Sequence, residues 1–102
     1  MPPLSEVILK QFEPDLATDL DVVVAVEAPP ERVVFAIRDN QLALLQPDAE
    51  PHFSLLFSST ERARAIISRE TNLIDAFMSH DFRADGYIVT SFRVLAALKA
   101  YP

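Results

Sequence analysis

Histidines and acidic side chains are the residues of this sequence that could do chemistry. His52 and His80 stand 28 positions apart, and Asp81 follows the second histidine. A helical metal site brings two histidines together by placing them four residues apart, on one face. This pair lacks that spacing, so the sequence gives little support to a metal site, and we expect no cofactor.

Three side chains could serve as the base of a small isomerase or cyclase: Glu13, His80 and Asp81. Such an enzyme needs a titratable group inside an apolar pocket. Nearly all charged residues of this sequence instead fall in turns, at helix caps or on outward strand positions. Catalysis is therefore the third hypothesis, behind two kinds of binding.

Missing residue types exclude other chemistries. The 102-residue chain has no cysteine and a single glycine, Gly86. Disulfides, thiolate nucleophiles and zinc–thiolate sites cannot form, and a glycine-rich phosphate loop is excluded. The sequence also lacks the Gly-x-Ser-x-Gly elbow of esterases. No recognisable catalytic motif is left, and we expect a protein that is not an enzyme.

Charge narrows the range of partners. The net charge of −6 argues against nucleic acid, whose phosphates require a basic surface. Arg62, Arg64 and Arg69 are the one close group of positive charges, and they are candidates for binding an anionic head group. A solvated helix face is the commoner explanation of such a group.

The chain is unusually apolar for its length. Half of its residues are hydrophobic, yet no apolar run approaches the ~20 residues that cross a membrane. The first residues lack the pattern of a secretory signal, so we expect a cytoplasmic protein with no transmembrane segment. A domain of this size buries only part of its surface, and the apolar surplus favours either a ligand cavity or an oligomer.

The first half of the chain predicts a short helix and then strands. Ser5 is a candidate N-cap, and Pro14 ends the helix. Residues 20–58 follow a period of two and predict a four-strand meander. Its first strand has valines on both faces and is expected to be covered on both sides.

A hairpin register is predicted inside that meander. Asp39 and Asn40 both tolerate positive φ and suit a two-residue turn. With this turn, Phe35 faces Leu44, and the apolar faces of the two strands coincide. Phe53, Leu55 and Phe57 should then point inward from the fourth strand.

The second half changes to a helical period. Ser58 to Glu61 has the pattern of a capping box, which predicts a helix to about Glu70. Thr71 or Asn72 caps the next helix, Phe82 to Asp85 is a short strand, and Gly86 leads into the last helix. The last helix is apolar on two sides, through residues such as Ile88, Phe92, Leu95 and Tyr101, and therefore needs apolar contacts on more than one side.

These elements describe one domain, residues 1–102. It comprises an N-terminal helix and connector (1–19), the four-strand meander (20–58) and a helix–helix–strand–helix unit (59–102).

The string AFMSHDFRADGY, residues 76–87, precedes the last helix. Together with the order of elements, it resembles the sterol carrier protein type 2 family of sterol-binding and nonspecific lipid-transfer proteins. The resemblance covers about residues 20–100. The family usually has glycine where His80 stands, and Gly-Asp in place of Asp85-Gly86.

This resemblance implies an α+β fold. Its five-stranded, mostly antiparallel sheet has helices against one face and an apolar tunnel between the two layers. Large apolar residues at inward positions are the candidate tunnel lining, although such residues are often ordinary core. These candidates are Phe35, Phe53, Phe57, Ile66, Phe77, Met78, Phe92 and Leu95.

The function implied is the binding, without chemistry, of a fatty acid, a sterol or an acyl thioester in that tunnel. The second hypothesis is a homodimerisation or protein-interaction domain in which the tunnel has collapsed and the apolar helix face meets another chain.

Overall fold

Helices and strands follow one another in the order that the sequence predicts. The computed structural model describes residues 3–100, so Tyr101 lies outside the described residues. A 3₁₀ turn at Pro14–Leu16 precedes the sheet. The elements are α1 (Leu4–Gln11), β1 (Val22–Ala28), β2 (Glu31–Arg38), β3 (Gln41–Leu45), β4 (Phe53–Phe57), α2 (Thr60–Ile67), α3 (Leu73–Met78), β5 (Phe82–Asp85) and α4 (Ile88–Ala97).

The five strands form one mixed sheet in the order β3-β2-β1-β4-β5. Neighbouring strands are antiparallel except for β1 and β4, which are parallel. The predicted five-stranded, mostly antiparallel sheet is confirmed. The predicted four-strand meander is wrong, because β4 does not continue beside β3 but crosses to the far side of β1.

The crossing is made by residues 46–52. Leu45 is paired with Val34, which pairs with Ala25, and Phe53 pairs with Val24, so the connection leaves β3 and enters β4 at almost the same height. Three strand spacings are ~14 Å, and seven residues can span ~23 Å, so the short connection is long enough.

The crossing connection also covers the central part of the outer face of the sheet. Ala49 packs there on a small cluster formed by Val23, Ala25 and Val34. The backbone N–H of His52 donates to the carbonyl of Val23 at 2.8 Å, and Nδ1 of His52 accepts from the backbone N–H of Val23 at 3.0 Å. His52 therefore holds the end of the crossing connection against β1 through two hydrogen bonds. The prediction that β1 is covered on both sides is confirmed.

The β2–β3 hairpin has the register that the sequence predicts. Asp39 and Asn40 adopt φ values of 51° and 60°. Phe35 is paired with Leu44 across the hairpin. The local turn was enough to place both apolar faces on the same side.

The main core lies between the other face of the sheet and the helices. It includes Phe35 and Leu55 from the sheet and Ile8, Ile66 and Leu95 from the helices, all fully buried. The alternation of Phe53, Leu55 and Phe57 toward this core is confirmed.

Two predicted helix caps are wrong by a short distance. Ser5 lies inside the first turn of α1, whose N-cap is Pro3 without a side-chain bond. The hydroxyl that caps α2 belongs to Ser59, which accepts from the backbone N–H of Arg62 at 3.1 Å. Ser58 instead approaches Asp81, with 3.4 Å between its hydroxyl and the carboxylate. A serine caps a helix only from the residue before its first turn. The N-cap of α1 lies two residues before the predicted position, and that of α2 lies one residue after it.

Helix α2 also ends sooner than Glu70. Arg69 adopts φ 70°, and the backbone N–H of Glu70 returns to the carbonyl of Ala65 at 2.8 Å. A left-handed residue of this kind terminates a helix. The Asn72 cap of α3 is confirmed, since its side chain accepts from the backbone N–H groups of Ile74 and Asp75.

We expect Ser59→Ala to lower the free energy of unfolding by about 1 kcal/mol, because α2 loses the acceptor for one of its first N–H groups. Ser58→Ala serves as the matched control and should change stability by less than about 0.5 kcal/mol. Urea unfolding followed by circular dichroism measures both. Equal losses in the two variants would contradict the assigned cap.

Candidate functional site

Exposed apolar side chains gather on α3 and at the start of α4. Among residues 3–100, nine large hydrophobic side chains are exposed, and five of them lie in this region. They are Ile74, Met78, Tyr87, Ile88 and Val89. Such a concentration on a small domain indicates a surface that binds something apolar.

Two adjoining grooves run through this region. One, of about 460 Å³, lies between α3 and α4 and is bordered by Ile74, Val89 and Phe92. The other, of about 700 Å³, follows β5 at the edge of the sheet and is bordered by Phe77 and Met78. Ile88 borders both, and we refer to the pair as the α3–α4 groove.

A cluster of four phenylalanines lies beneath the α3–α4 groove. Phe82 is fully buried at its centre, with its ring centroid 5.1 Å from that of Phe57, 5.9 Å from that of Phe77 and 6.3 Å from that of Phe92. The rings of Phe77 and Phe92 meet edge to face at 5.8 Å. These four packed rings form the bottom of the groove, and we call them the aromatic floor.

The groove exists because α3 and α4 both pack on β5 but approach each other at few positions. Helix α3 has only six residues, too few to reach along α4. Between β5 and α4 the chain bends at Gly86, with φ 121°, and this bend brings Tyr87 edge-on to Phe53 at 6.4 Å between centroids.

The predicted tunnel-lining residues fall into two groups. Phe77, Met78 and Phe92 border the α3–α4 groove. The others are at least 95% buried and belong to the main core. These are Phe35, Phe53, Phe57, Ile66 and Leu95. Contact of either group with a ligand stays a prediction.

The predicted lining missed five residues of the site: Ile74, Phe82, Tyr87, Ile88 and Val89. A signal for three of them was present, because Tyr87-Ile88-Val89 puts three consecutive apolar residues at the start of one helix. A helix cannot turn three consecutive side chains toward one core.

The predicted head-group arginines lie elsewhere. Arg62 pairs with Asp81 at 3.0 Å between guanidinium and carboxylate. Arg62 and Arg64 border a separate groove, whose wall also holds Glu61 and Glu70. The arginines that border the α3–α4 groove are Arg83, along β5, and Arg93, on α4.

The three candidate bases have different surroundings. His80 is exposed at the rim of the groove. Asp81 is tied to Arg62, and Glu13 accepts from the backbone N–H of Asp15 at the 3₁₀ turn. Within residues 3–100 the buried polar side chains are Thr60 and Ser91, and each hydroxyl donates to a backbone carbonyl.

The backbone at His80 accounts for the glycine that the sterol carrier protein family usually has at this position. The φ of His80 is 67°, in the left-handed region that favours glycine, and this residue terminates α3.

Across residues 3–100 there is no group of three histidine, cysteine or acidic side chains placed to hold a metal ion. Nor does any helix in that range have the length and apolar character to cross a membrane.

No protein-family model matches the sequence, and no curated protein sequence matches it. Several solved structures, however, match the structure of this chain. The stereoselective inverting sec-alkylsulfatase Pisa1 from Pseudomonas sp. matches with 12% identity and a TM-score of 0.72, over 88% of this chain but only 15% of the sulfatase. This chain thus spans about a seventh of the first structures that it matches.

Sterol carrier proteins match over nearly their whole length. A crystal structure of sterol carrier protein 2 has 11% identity and a TM-score of 0.66, covering 95% of this chain and 92% of that one. Sterol carrier protein 2 from Aedes aegypti, in complex with the C16 fatty acid palmitate, has 12% identity and a TM-score of 0.66 with full coverage of both chains. The chain therefore has a sterol carrier protein 2-like fold, as the resemblance of its sequence to that family predicts.

Proposed function

We propose that this chain binds an apolar ligand, such as a fatty acid, a sterol or an acyl thioester, and carries out no chemistry on it. The observation that carries this proposal is the α3–α4 groove, an open apolar channel above buried aromatic rings. The fold supports it, since a fatty acid complex is known for a structure of the same fold from Aedes aegypti. The cytoplasmic location inferred from the sequence stays a prediction.

An open groove suits a carrier that must also be stable when empty. An empty internal tunnel of ~400 Å³ would cost about 10 kcal/mol, comparable with the whole stability of a small domain. A groove that water can enter avoids most of that cost. The ligand then replaces water against side chains such as Met78 and Ile88, which are already exposed.

The expected affinity follows from the buried chain length. About 12 buried methylenes gain ~10 kcal/mol, and association removes at least ~4 kcal/mol, which leaves a Kd of roughly tens of micromolar. Within this proposal an anionic head group meets Arg83 or Arg93, at the groove, rather than Arg62, Arg64 and Arg69.

Fluorescent fatty acid titration tests the site. We expect Met78→Asp and Ile88→Asp each to weaken binding about 30-fold, because a carboxylate placed against an apolar ligand costs about 2 kcal/mol. Both side chains are more than half exposed, so the fold should tolerate the change.

Leu9→Asp is the matched control. Leu9 is 46% exposed on α1, away from the groove. Its replacement by aspartate changes side-chain size and charge in nearly the same way as the two groove variants do. It should bind the probe as the unmodified protein does. If all three variants bind equally well, the groove is not the binding site.

The exposure of Tyr87, Ile88 and Val89 also favours a second function, contact with another protein through the same surface. Native mass spectrometry of the purified protein, followed by organic extraction, separates the two. A fatty acid or sterol at near one per chain supports the carrier function. A lipid-free assembly that Ile88→Asp dissociates supports the interaction domain.

A further inference from the structure

Strand β3 is an unprotected edge of the sheet. Its sequence, QLALL, carries no charge and no proline. Leu44 is 43% exposed and Leu45 38% exposed, on opposite faces of the strand. Proteins usually protect an edge strand with charges, proline or a bulge, because its free N–H and C=O groups can pair with another strand. The lack of such protection in β3 indicates that this strand can pair with a strand of another chain.

The turn determines which backbone groups of β3 are free. In a two-residue hairpin, the residues that flank the turn exchange backbone hydrogen bonds, here Arg38 and Gln41. Hydrogen-bonded and non-hydrogen-bonded pairs then alternate, so Ala43 also points its N–H and C=O toward β2. The backbone groups of Leu42 and Leu44 are those that point away from the sheet.

We propose that β3 pairs with β3 of a second copy of this chain, antiparallel about a two-fold axis at Ala43, and joins the two sheets into one of ten strands. In this register Leu42 of each copy exchanges both backbone hydrogen bonds with Leu44 of the other. All five residues of β3 find a partner, which no other antiparallel self-register achieves. The contact is self-complementary, as a two-fold interface requires.

The side chains agree with this register. Leu42 and Leu44 share the face that holds the main core, since they are paired with Ile37 and Phe35. Pairing covers each exposed Leu44 with Leu42 of the other copy and continues the apolar layer across the axis. With no charge in β3, no like charges meet, although each chain carries a net charge of −6.

Charges of both signs lie at the two ends of the contact. The register brings Asp39, at the hairpin tip, opposite Pro47 of the other copy. Arg32 stands beside that proline, with its Nε donating to the carbonyl of Pro47 at 2.9 Å, and its guanidinium also pairs with Glu27 at 3.0 Å. The two-fold axis repeats this arrangement at the other end. A second copy of this chain therefore matches the edge in hydrogen bonding and apolar surface, with an arginine near each Asp39.

This interface is separate from the ligand site. Strand β3 is one edge of the sheet and β5, which borders the α3–α4 groove, is the other. A dimer through β3 leaves both grooves open, so the two proposals can fail independently.

Single cysteines test the register, because the chain has none of its own. Ala43 meets itself across the axis as a non-hydrogen-bonded pair, with a Cα separation of ~4.5 Å that a disulfide can span. We expect Ala43→Cys to form a covalent dimer rapidly under mild oxidation. Gln41→Cys, whose two copies lie ~14 Å apart, should cross-link at least 10-fold more slowly on its own. Mixed with Leu45→Cys it should form the heterodimer, since these two positions face each other. Equal rates for Ala43→Cys and Gln41→Cys alone would overturn the proposal.

Sedimentation velocity on the unmodified chain gives an independent test. At about 0.5 mM, where a contact with a Kd of ~100 µM is mostly associated, the mass should approach that of a dimer. Ala43→Lys sets two like charges against each other at the axis and should give a monomer, whereas Gln41→Lys, with the same change in net charge, should retain more of the dimer. A monomeric wild-type chain, or one whose dimer Ala43→Lys leaves intact, would overturn the proposal.

Discussion

Gly86→Ala is expected to lower the free energy of unfolding by about 4 kcal/mol, from strain and overpacking together. Gly86 has φ 121°, which side-chain-bearing residues rarely adopt. An added Cβ would also lie 2.9 Å from Cβ of Phe53. That atom is fixed to the backbone of β4, so the strand itself would have to move. The loss is a large part of the about 5–15 kcal/mol that stabilises a domain of this kind.

Urea unfolding followed by circular dichroism measures this effect, and the absence of tryptophan makes a fluorescence readout less suitable. Asp85→Ala, at the neighbouring exposed position, is the control and should stay within about 0.5 kcal/mol of the unmodified protein. A Gly86→Ala variant as stable as this control would show that α4 can leave β5 without the close approach to Phe53.

Phe82→Ala is expected to cost about 3–5 kcal/mol. Its ring is fully buried and contacts three other phenylalanine rings. Removing it leaves a cavity directly under the α3–α4 groove, which its neighbours can fill only in part. If the groove binds an apolar ligand, a fatty acid that reaches into the new cavity should raise the thermal midpoint of Phe82→Ala more than that of the unmodified protein.

Met78→Ala is the control for this second experiment. Met78 borders the same groove but is 73% exposed, so its truncation should leave stability within about 0.5 kcal/mol of the original. Thermal and urea unfolding, each with and without a fatty acid, separate the two effects. A Phe82→Ala variant that loses less than about 1 kcal/mol would mean that the aromatic floor does not support the fold.

The hairpin shows how much of the fold short-range patterns can predict. The turn at Asp39 and Asn40 determines the register of β2 and β3, and the alternation of Phe53, Leu55 and Phe57 shows which face of β4 is buried. Both depend on residues a few positions apart. The shifted caps show the resolution of such patterns. Ser58 and Ser59 have the same side chain and compete for one position, whereas α1 begins after Pro3, which offers no capping side chain, and includes Ser5 in its first turn.

The candidate site shows where those patterns fail. The sequence marked Phe77, Met78 and Phe92 as apolar residues on helices, and the structure places all three beside one groove. It could not separate them from Phe35 or Leu95, which have the same character but lie in the closed core. Nor could it show that Arg83 and Arg93 border the groove, while Arg62 pairs with Asp81.

By itself the sequence determined the succession of helices and strands, the hairpin register and the inward faces, because each follows from the periodicity and turn chemistry of neighbouring residues. Only the tertiary structure decided that β4 passes beyond β1, that β3 is left as an edge, and that α3 and α4 stand apart over Phe82. These features depend on contacts between residues far apart in the chain. The gain from burying apolar surface is nearly independent of direction, so an apolar pattern shows that a residue is covered and leaves open which partner covers it.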